Sequence, residues 1–285
     1  MTFLGIDIGG SSVKVAAVEQ GRTLWTGQSG RYNRPTRDEF VGAIREAIAG
    51  RELNISAVGL CVPGLLDERK ETVTYSVNVP GLMGLPLEEL VRDAVGAAGR
   101  LLVANDSNAA AWDIYTSREL TGRLLVIVLG TGVGMSVMDE RGPLAVDGES
   151  PGHIGQMDVS VEGYPVIGPD GGAGSVEGYV GAMALAQRYG AGDSDPVERI
   201  APGDPAVLAL ARTIRICHAI YRPQHVCLAG GIGIRMGRLL PDLRARVERD
   251  LTRLAREGWT LTTGDHDFHA ATGIAKLAGN LPRMR

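Results

Sequence analysis

Cysteine is scarce in this chain, and its placement argues against two kinds of stabilising site. Cys61, Cys217 and Cys227 are the three cysteines among 285 residues, and their wide spacing fits neither a disulfide framework nor a thiolate metal cluster. Such usage is typical of a reducing compartment, so we expect a cytoplasmic protein. No apolar run is long enough to cross a bilayer. No basic stretch precedes a long apolar run at the N-terminus, so we expect no signal peptide.

An excess of one charge sign is also missing. The chain carries 29 Lys and Arg against 33 Asp and Glu, a net charge of -4, with no long basic block. Electrostatics therefore gives no support to nucleic-acid binding or to a role at a membrane surface. Glycine is abundant, with 40 residues, which indicates many tight turns and close approaches of backbone. The length predicts about two domains.

Short apolar strands alternate with amphipathic helices along the chain. Residues 3–27 read as three strands separated by glycine turns, which predicts an antiparallel meander. Helical and strand patterns then alternate up to residue 115, and a second strand–turn–strand pattern begins at Leu124. This alternation predicts an α/β fold with partly parallel sheets and a domain boundary near residue 115. Residues 176–189 have helical periodicity, and a last helix is predicted from Ala270.

Two stretches repeat one pattern, an apolar run followed by a glycine-rich turn and a second apolar run. Residues 4–19 read LGIDIGGSSVKVAAVE, and residues 126–140 read VIVLGTGVGMSVMDE. Glycine permits positive φ and close approach to a ligand, and successive backbone N–H groups in such a turn form an anion site. The pair predicts two hairpins that hold one polyphosphate. The alternative is two tight hairpins without a ligand.

A polar pair, Asn105 and Asp106, follows the predicted strand at residues 101–104. Ligands of open α/β sheets bind beyond the carboxyl ends of the strands, so an aspartate here can point into a binding site. Asp106 either caps the helix that follows or acts as a general base on a hydroxyl nucleophile. The second role fits phosphoryl transfer, which requires positioning, a metal ion to offset phosphate charge, and a base.

Taken together, these motifs resemble the ROK family of sugar kinases, within the actin-like ATPase superfamily. They occur in the family's order over nearly the whole chain: Asp7-Ile8-Gly9-Gly10 with Lys14, Val62-Pro63-Gly64, Ser76 with Asn78-Val79-Pro80-Gly81, Asn105-Asp106 with Asn108-Ala109-Ala110, Gly130-Thr131-Gly132-Val133-Gly134, and Ala229-Gly230-Gly231-Ile232. The resemblance implies two actin-like (ribonuclease H-like) domains with a central cleft. They would cover residues 1–115 and 116–269, with the last helix, residues 270–285, joining the first. It also implies a homodimer or homotetramer.

The resemblance implies a role for each matching residue. Asp106 would be the catalytic base, and Asp7 would orient Mg²⁺ through water. The substrate-binding residues would be Gly64, Asn78, Asn105, Asp106, His153 and Glu177. The nucleotide-binding residues would be Gly9, Gly10, Ser11, Ser12, Lys14, Thr131, Gly132, Gly230 and Gly231. The last two glycines precede a predicted helix, whose N-terminus attracts phosphate.

One segment departs from the family's pattern. The family has Gly-Glu-x-Gly-His followed by a cysteine cluster that binds structural zinc, whereas this chain has Gly152-His153-Ile154-Gly155-Gln156 and no cysteine cluster after it. His153 then stands at the position of a sugar-binding glutamate, and Gln156 at that of a zinc-ligating histidine. Because structural zinc needs several Cys or His ligands close together, we predict that the protein binds no zinc.

The histidine at position 153 bears on the substrate. A neutral histidine both donates and accepts a hydrogen bond, whereas a carboxylate only accepts. We therefore expect the hydroxyl pattern accepted near ring carbons 1 and 2 to differ from that of glucose. Alternatively, His153 is a loop residue satisfied by the backbone. Glu149 is a candidate to replace the missing carboxylate, and His266 and His269 are interpreted as surface residues.

The resemblance implies an ATP-dependent kinase that phosphorylates the 6-hydroxyl of a hexose or hexosamine. Its partners would be a small sugar and ATP with Mg²⁺, without nucleic acid or membrane. One alternative is a catalytically inactive sugar-binding sensor, because the sugar-contact segment is altered. A DNA-binding regulator is not expected, because Asp7 lies close to the start of the sequence. The other alternative is a kinase that uses polyphosphate as donor, because polyphosphate glucokinases of the family also lack the zinc cluster.

Overall fold

The computed structural model describes residues 1–52, 54–96, 99–146, 152–190, 195–256 and 258–280. The strands are β1 (Thr2–Ile8), β2 (Val13–Glu19), β3 (Arg22–Gln28), β4 (Ile55–Val62), β5 (Leu65–Leu66), β6 (Val73–Tyr75), β7 (Leu101–Asn105), β8 (Leu124–Leu129), β9 (Val133–Asp139), β10 (Gly142–Pro143), β11 (His225–Ala229) and β12 (Thr260–Thr263). The α-helices are α1 (Arg37–Ala47), α2 (Leu87–Val95), α3 (Asp106–Ser117), α4 (Val176–Val180), α5 (Ala182–Tyr189), α6 (Pro205–Tyr221), α7 (Gly230–Arg235), α8 (Leu240–Asp250), α9 (Arg253–Arg256) and α10 (His269–Asn280).

The chain divides into two compact units. The first comprises Met1–Arg118 together with the segment from Phe268 onward, and the second comprises Glu119–Asp267. The first contains a sheet of order β3-β2-β1-β4-β7, in which β1 is antiparallel to β2 and parallel to β4. The second contains a sheet of order β10-β9-β8-β11-β12, with β8 antiparallel to β9 and parallel to β11. The predicted meander and the mixed α/β sheets are confirmed.

The repeated topology explains the repeated sequence pattern. In each unit the first strand of a hairpin is the middle strand of a five-stranded sheet. The hairpin is β1–β2 in the first unit and β8–β9 in the second. The two glycine turns, residues 9–12 and 130–132, connect the strands of these hairpins. Each turn therefore lies at the end of its sheet where the parallel strands terminate, which is the edge where open α/β sheets bind ligands.

Local signals fix the helices that cover the first sheet. Thr36 and Glu39 form a capping box at the start of α1, in which the Glu39 side chain accepts the Thr36 N–H at 2.7 Å. Phe40 and Ile44, one turn apart, are fully buried against the sheet. Strand β4, which lies between β1 and β7, is buried along Ala57–Val62, as expected for a parallel strand covered on both faces.

Helix α10 belongs to the first unit, where its backbone packs closely on the sheet and on α3. A Cβ at Gly5 of β1 would lie 1.8 Å from the Ala271 carbonyl oxygen, and one at Gly273 would lie 1.8 Å from the Ala109 carbonyl oxygen. No side chain fits at either position, so the two glycines allow the elements to approach this closely.

An ion-paired cluster secures the same helix. His269 Nδ1 lies 2.6 Å from one carboxylate oxygen of Asp113 on α3, and Lys276 Nζ lies 2.6 Å from the other. His269 is only 5% exposed, so the interpretation of this histidine as a surface residue is wrong. The sequence pattern missed it because the partner carboxylate lies 156 residues earlier in the chain.

The core of the second unit carries a buried histidine. His218 of α6 packs edge-on against Trp259, with 4.6 Å between ring centroids. Burial lowers the pKa of His218 to about 4, so the ring is neutral in the folded protein at physiological pH.

In the part of the chain that the structure describes, no helix combines the length and apolarity needed to span a bilayer.

Candidate active site

The first glycine turn is closed by backbone hydrogen bonds at the end of β1. Gly9 N–H donates to the Ser12 carbonyl at 3.0 Å, and the register pairs Asp7 with Lys14, one residue beyond the Ile8–Val13 pair that flanks the turn. Ser29, which follows β3, holds the start of β2 through two hydrogen bonds. Its Oγ accepts the Val13 N–H at 3.0 Å, and its own N–H donates to the Val13 carbonyl. The turn is thus a fixed loop of backbone at the sheet edge.

Strand register brings Asp7 and Asp106 to the same edge of the sheet. Asp7 is opposite Cys61 of β4, and Cys61 is opposite Ala104 of β7, two residues before Asp106. Burial, with the nearby charge of Asp106, raises the pKa of Asp7 to about 7 against the opposing influence of Lys14. Burial also raises the pKa of Asp106. Two partly buried carboxyl groups whose charges repel form the oxygen-rich environment that a hard dication such as Mg²⁺ stabilises.

The helix that begins at Asp106 is capped by its neighbour. Asn105 is the N-cap of α3, and its side-chain oxygen accepts the Ser107 N–H at 2.9 Å. Asp106 uses a single oxygen, Oδ1, for its bonds to the Ser107 N–H (2.7 Å) and hydroxyl (3.2 Å). Oδ2 of Asp106 takes part in neither bond. The structure therefore places Asp106 inside the first helical turn, with one carboxylate oxygen outside the capping bonds.

Two further predicted residues of the first unit lie on tightly constrained backbone. Gly64 has a φ of +108°, and a Cβ there would lie 2.2 Å from the Tyr75 carbonyl oxygen, so only glycine fits. Asn78 is partly buried in a turn that Ser76 holds, because Ser76 Oγ accepts the Val79 N–H at 3.2 Å. Ser76 thus orients the backbone around Asn78.

In the second unit, a helix break contacts the second glycine turn. Residues 176–189 are helical as predicted, but they form two helices, because α4 ends and α5 begins at Gly181, whose backbone is extended (ψ 154°). The next residue, Ala182, donates its N–H to the Gly130 carbonyl at 3.0 Å. A Cβ at Gly181 would lie 2.8 Å from the Glu177 carbonyl oxygen. Periodicity alone continues through Gly181, and the break follows from this long-range contact.

Glu177 connects the same turn to the segment that departs from the family pattern. One carboxylate oxygen, Oε2, accepts the Val133 N–H at 2.9 Å, just after the turn. A Cβ at Gly155 would lie 3.1 Å from that oxygen, so the short 3₁₀ helix Ile154–Gln156 packs directly on the carboxylate. Glu177 is 6% exposed, and burial raises its pKa despite the Val133 hydrogen bond.

Of the two residues considered as sugar contacts in or near the altered segment, the structure describes His153 but not Glu149. His153 is exposed at the start of the 3₁₀ helix, where its carbonyl accepts the Gln156 N–H at 3.0 Å. Glu149, the candidate replacement carboxylate, lies outside the described residues. Beside Glu177 and Thr131 the second unit has a cavity of about 500 Å³, walled by residues 165–169 and by α5.

The last glycine motif adjoins the second turn. Strand β11 ends at Ala229 and α7 begins at Gly230, so the predicted helix is present but starts at these glycines rather than after them. Gly230 has a φ of +75°, and a Cβ there would lie 2.5 Å from the Leu129 carbonyl oxygen, directly before the second turn. Gly230 therefore packs on the last residue of β8, at the start of the second turn.

Known structures resemble the chain along its whole length. A ROK family glucokinase from Streptomyces griseus, solved with glucose and AMPPNP, has a TM-score of 0.73 at 23% identity and covers 98% of this chain and 99% of its own. A ROK hexokinase from Thermus thermophilus has a TM-score of 0.70 at 21% identity, covering 98% of both chains. These similarities establish the two-domain actin-like fold.

Sequence comparison assigns the family. A sequence model of the ROK family matches residues 3–280, so the chain belongs to the ROK family. Among curated relatives, the N-acetyl-D-glucosamine kinase of Escherichia coli strain E2348/69 is 28% identical over 200 residues. That match covers 66% of this chain and 65% of the relative, slightly less than two thirds of the relative's length.

Proposed function

We propose that the protein is an ATP-dependent kinase that phosphorylates the 6-hydroxyl of a hexose or hexosamine. The observation that carries the proposal is that Asp106 and Asp7 lie near each other at the edge of the first sheet where its parallel strands end. Asp106 keeps one carboxylate oxygen outside its helix-capping bonds. Family membership and the names of the relatives, glucokinase and N-acetyl-D-glucosamine kinase, support a sugar as acceptor.

In this proposal the first unit activates the acceptor. Asp106 Oδ2 accepts the proton of the sugar hydroxyl, whose oxygen attacks the γ-phosphorus of ATP as ADP departs. Gly64, Asn78 and Asn105 hold other sugar hydroxyls. Asp7, with Asp106 nearby, is suited to hold a hydrated Mg²⁺, which offsets phosphate charge when bound. The turn formed by Gly9, Gly10, Ser11 and Ser12, with Lys14, borders the transferred phosphoryl group.

The second unit supplies the remaining contacts. Thr131 and Gly132 bind the outer phosphates of the nucleotide, and Gly230 with Gly231 packs against its ribose and α-phosphate. Glu177 and His153 contact the sugar near ring carbons 1 and 2. The absence of zinc, a cytoplasmic location and a homodimeric or homotetrameric state stay predictions. Stoichiometric zinc in the purified protein would overturn the alignment of residues 152–177 with the family's zinc segment.

The test is ADP release by the purified chain over a panel of hexoses and hexosamines, with ATP and Mg²⁺. In the Asp106→Asn variant, turnover of the best sugar should fall by about 10²–10⁴-fold, the usual contribution of a general base. The matched control is Asp38→Asn, because the Asp38 side chain is 95% exposed on α1 and should not affect turnover. A loss of less than about tenfold in Asp106→Asn would contradict the assigned role.

Two other outcomes would replace the proposal. Binding of a sugar by calorimetry, without binding of ATP or Mg²⁺ and without turnover, would support a sugar sensor. Turnover with polyphosphate but not with ATP would support the alternative donor.

A further inference from the structure

We propose that Tyr32 is a positioning residue for the transferred phosphoryl group, because it orients the peptide groups of the first glycine turn. The inference rests on the proposed function. Tyr32 lies four residues beyond β3, in a segment that runs alongside the turn. Ser29 N–H donates to the Val13 carbonyl and Tyr32 N–H to the Ser11 carbonyl, each at 3.0 Å.

Tyr32 makes two hydrogen bonds to the turn, both to carbonyl oxygens. Its phenol O–H donates to the Gly9 carbonyl at 2.7 Å, and its backbone N–H donates to the Ser11 carbonyl at 3.0 Å. The two carbonyls belong to alternate peptide groups of the turn, and Tyr32 draws both toward itself. Gly9 N–H closes the turn on the Ser12 carbonyl at 3.0 Å.

Planar trans peptides convert the direction of a carbonyl into the direction of an N–H. In each peptide group the C=O and the N–H point in opposite directions. When Tyr32 holds the Gly9 and Ser11 carbonyls, the N–H groups of Gly10 and Ser12 point away from Tyr32. Among the residues that the structure describes, neither of these two N–H groups has a hydrogen-bond partner. They are therefore available to an anionic ligand on the side of the turn opposite Tyr32.

The phenol is held rigidly and stays a donor. The Tyr32 ring packs edge-on against Phe40, with 5.8 Å between centroids, and Phe40 is fully buried in the core. Burial and the nearby charge of Asp7 raise the pKa of the Tyr32 hydroxyl, so it stays protonated at physiological pH. Because a preorganised donor stabilises developing charge without reorganising at the moment of reaction, a fixed turn favours the transition state over the bound substrates.

The test compares Tyr32→Phe, which removes only the O–H donor, with Tyr32→Leu, which also removes the ring. Tyr32→Phe should lower kcat by about tenfold, less than the loss of a donor that touches the phosphate directly, with the KM for sugar unchanged. Binding of ADP with Mg²⁺ and aluminium fluoride, a mimic of the transition state, should weaken in parallel, whereas binding of ADP alone should not. The matched control is Tyr164→Phe, because Tyr164 is 52% exposed and its phenol lies in the other unit.

Each outcome is decisive. If Tyr32→Phe has the kcat of the wild type and only Tyr32→Leu is impaired, the ring acts by packing and the inference is wrong. If both variants lose kcat alike while their thermal unfolding matches the wild type, the O–H carries the effect. An inactive wild type would refute the proposed function, whereas an active wild type with an inactive Asp106→Asn and a normal Tyr32→Phe would refute this inference alone.

Discussion

Replacing Gly273 by alanine tests how helix α10 is held in the first unit. Inside a helix this change normally stabilises, because alanine has the higher helix propensity by about 1 kcal/mol. Here an alanine Cβ would lie 1.8 Å from the Ala109 carbonyl oxygen and 2.6 Å from its carbon. Ordinary contact of carbon with a carbonyl oxygen begins near about 3.3 Å, so α10 and α3 would have to separate by more than an ångström.

The helix cannot make that movement freely. On its other side α10 lies against the sheet, where ideal Cβ positions at Gly5 and Gly59 fall 1.8 Å from the Ala271 oxygen and 2.4 Å from the Ile274 oxygen. A shift would also strain the bonds from His269 and Lys276 to Asp113. Overpacking against a side chain costs about 1–3 kcal/mol, and a backbone obstacle cannot rotate away. We therefore expect a cost at the top of that range, so Gly273→Ala should destabilise the first unit by about 2 kcal/mol after the gain in propensity.

Gly42→Ala is the matched control. Gly42 lies inside α1 on its exposed face, and no other atom lies within 4 Å of an ideal Cβ there, so this variant should gain about 0.5–1 kcal/mol. Both variants are measured by urea unfolding, followed by far-UV circular dichroism and tryptophan fluorescence, since the two units need not unfold in one transition. A Gly273→Ala protein as stable as the wild type, beside a stabilised Gly42→Ala, would refute the packing argument.

Two further predictions concern the second unit. Because the pKa of His218 falls to about 4 on folding from an ordinary value of 6.5, stability should be full above about pH 6.5 and decrease toward pH 4 by up to about 3 kcal/mol. Unfolding free energies at pH 7 and pH 5 should differ less in His218→Gln; an unchanged difference would contradict this. Glu177→Ala leaves the buried Val133 N–H unpaired and should cost about 1–3 kcal/mol, whereas Glu177→Gln keeps an acceptor and should raise the KM for sugar with little loss of stability. Thermal unfolding and sugar titration separate the two, and a fully stable Glu177→Ala would contradict the role of that bond.

Local sequence patterns predict much of the fold. Alternating apolar patterns and glycine turns predict the hairpins β1–β2 and β8–β9, and the position of Asp106 after a strand predicts its place at the sheet edge. Local patterns do not predict which residues contact each other when they lie far apart in the sequence. The sequence pattern does not predict the burial of His269 or the break at Gly181, because each depends on a contact with a distant segment.

The two glycine turns show most clearly what only the structure supplies. In each, the first glycine after the strand, Gly9 or Gly130, has its carbonyl held by a donor from a distant segment: the Tyr32 hydroxyl at 2.7 Å and the Ala182 N–H at 3.0 Å. In each, the planarity of the peptide then directs the next N–H, that of Gly10 or Thr131, the opposite way. The donors differ in chemistry and come from unrelated parts of the sequence, but their effect on the turn is the same. Glycine makes each turn possible, and a hydrogen bond from a distant segment fixes the orientation of its first peptide group.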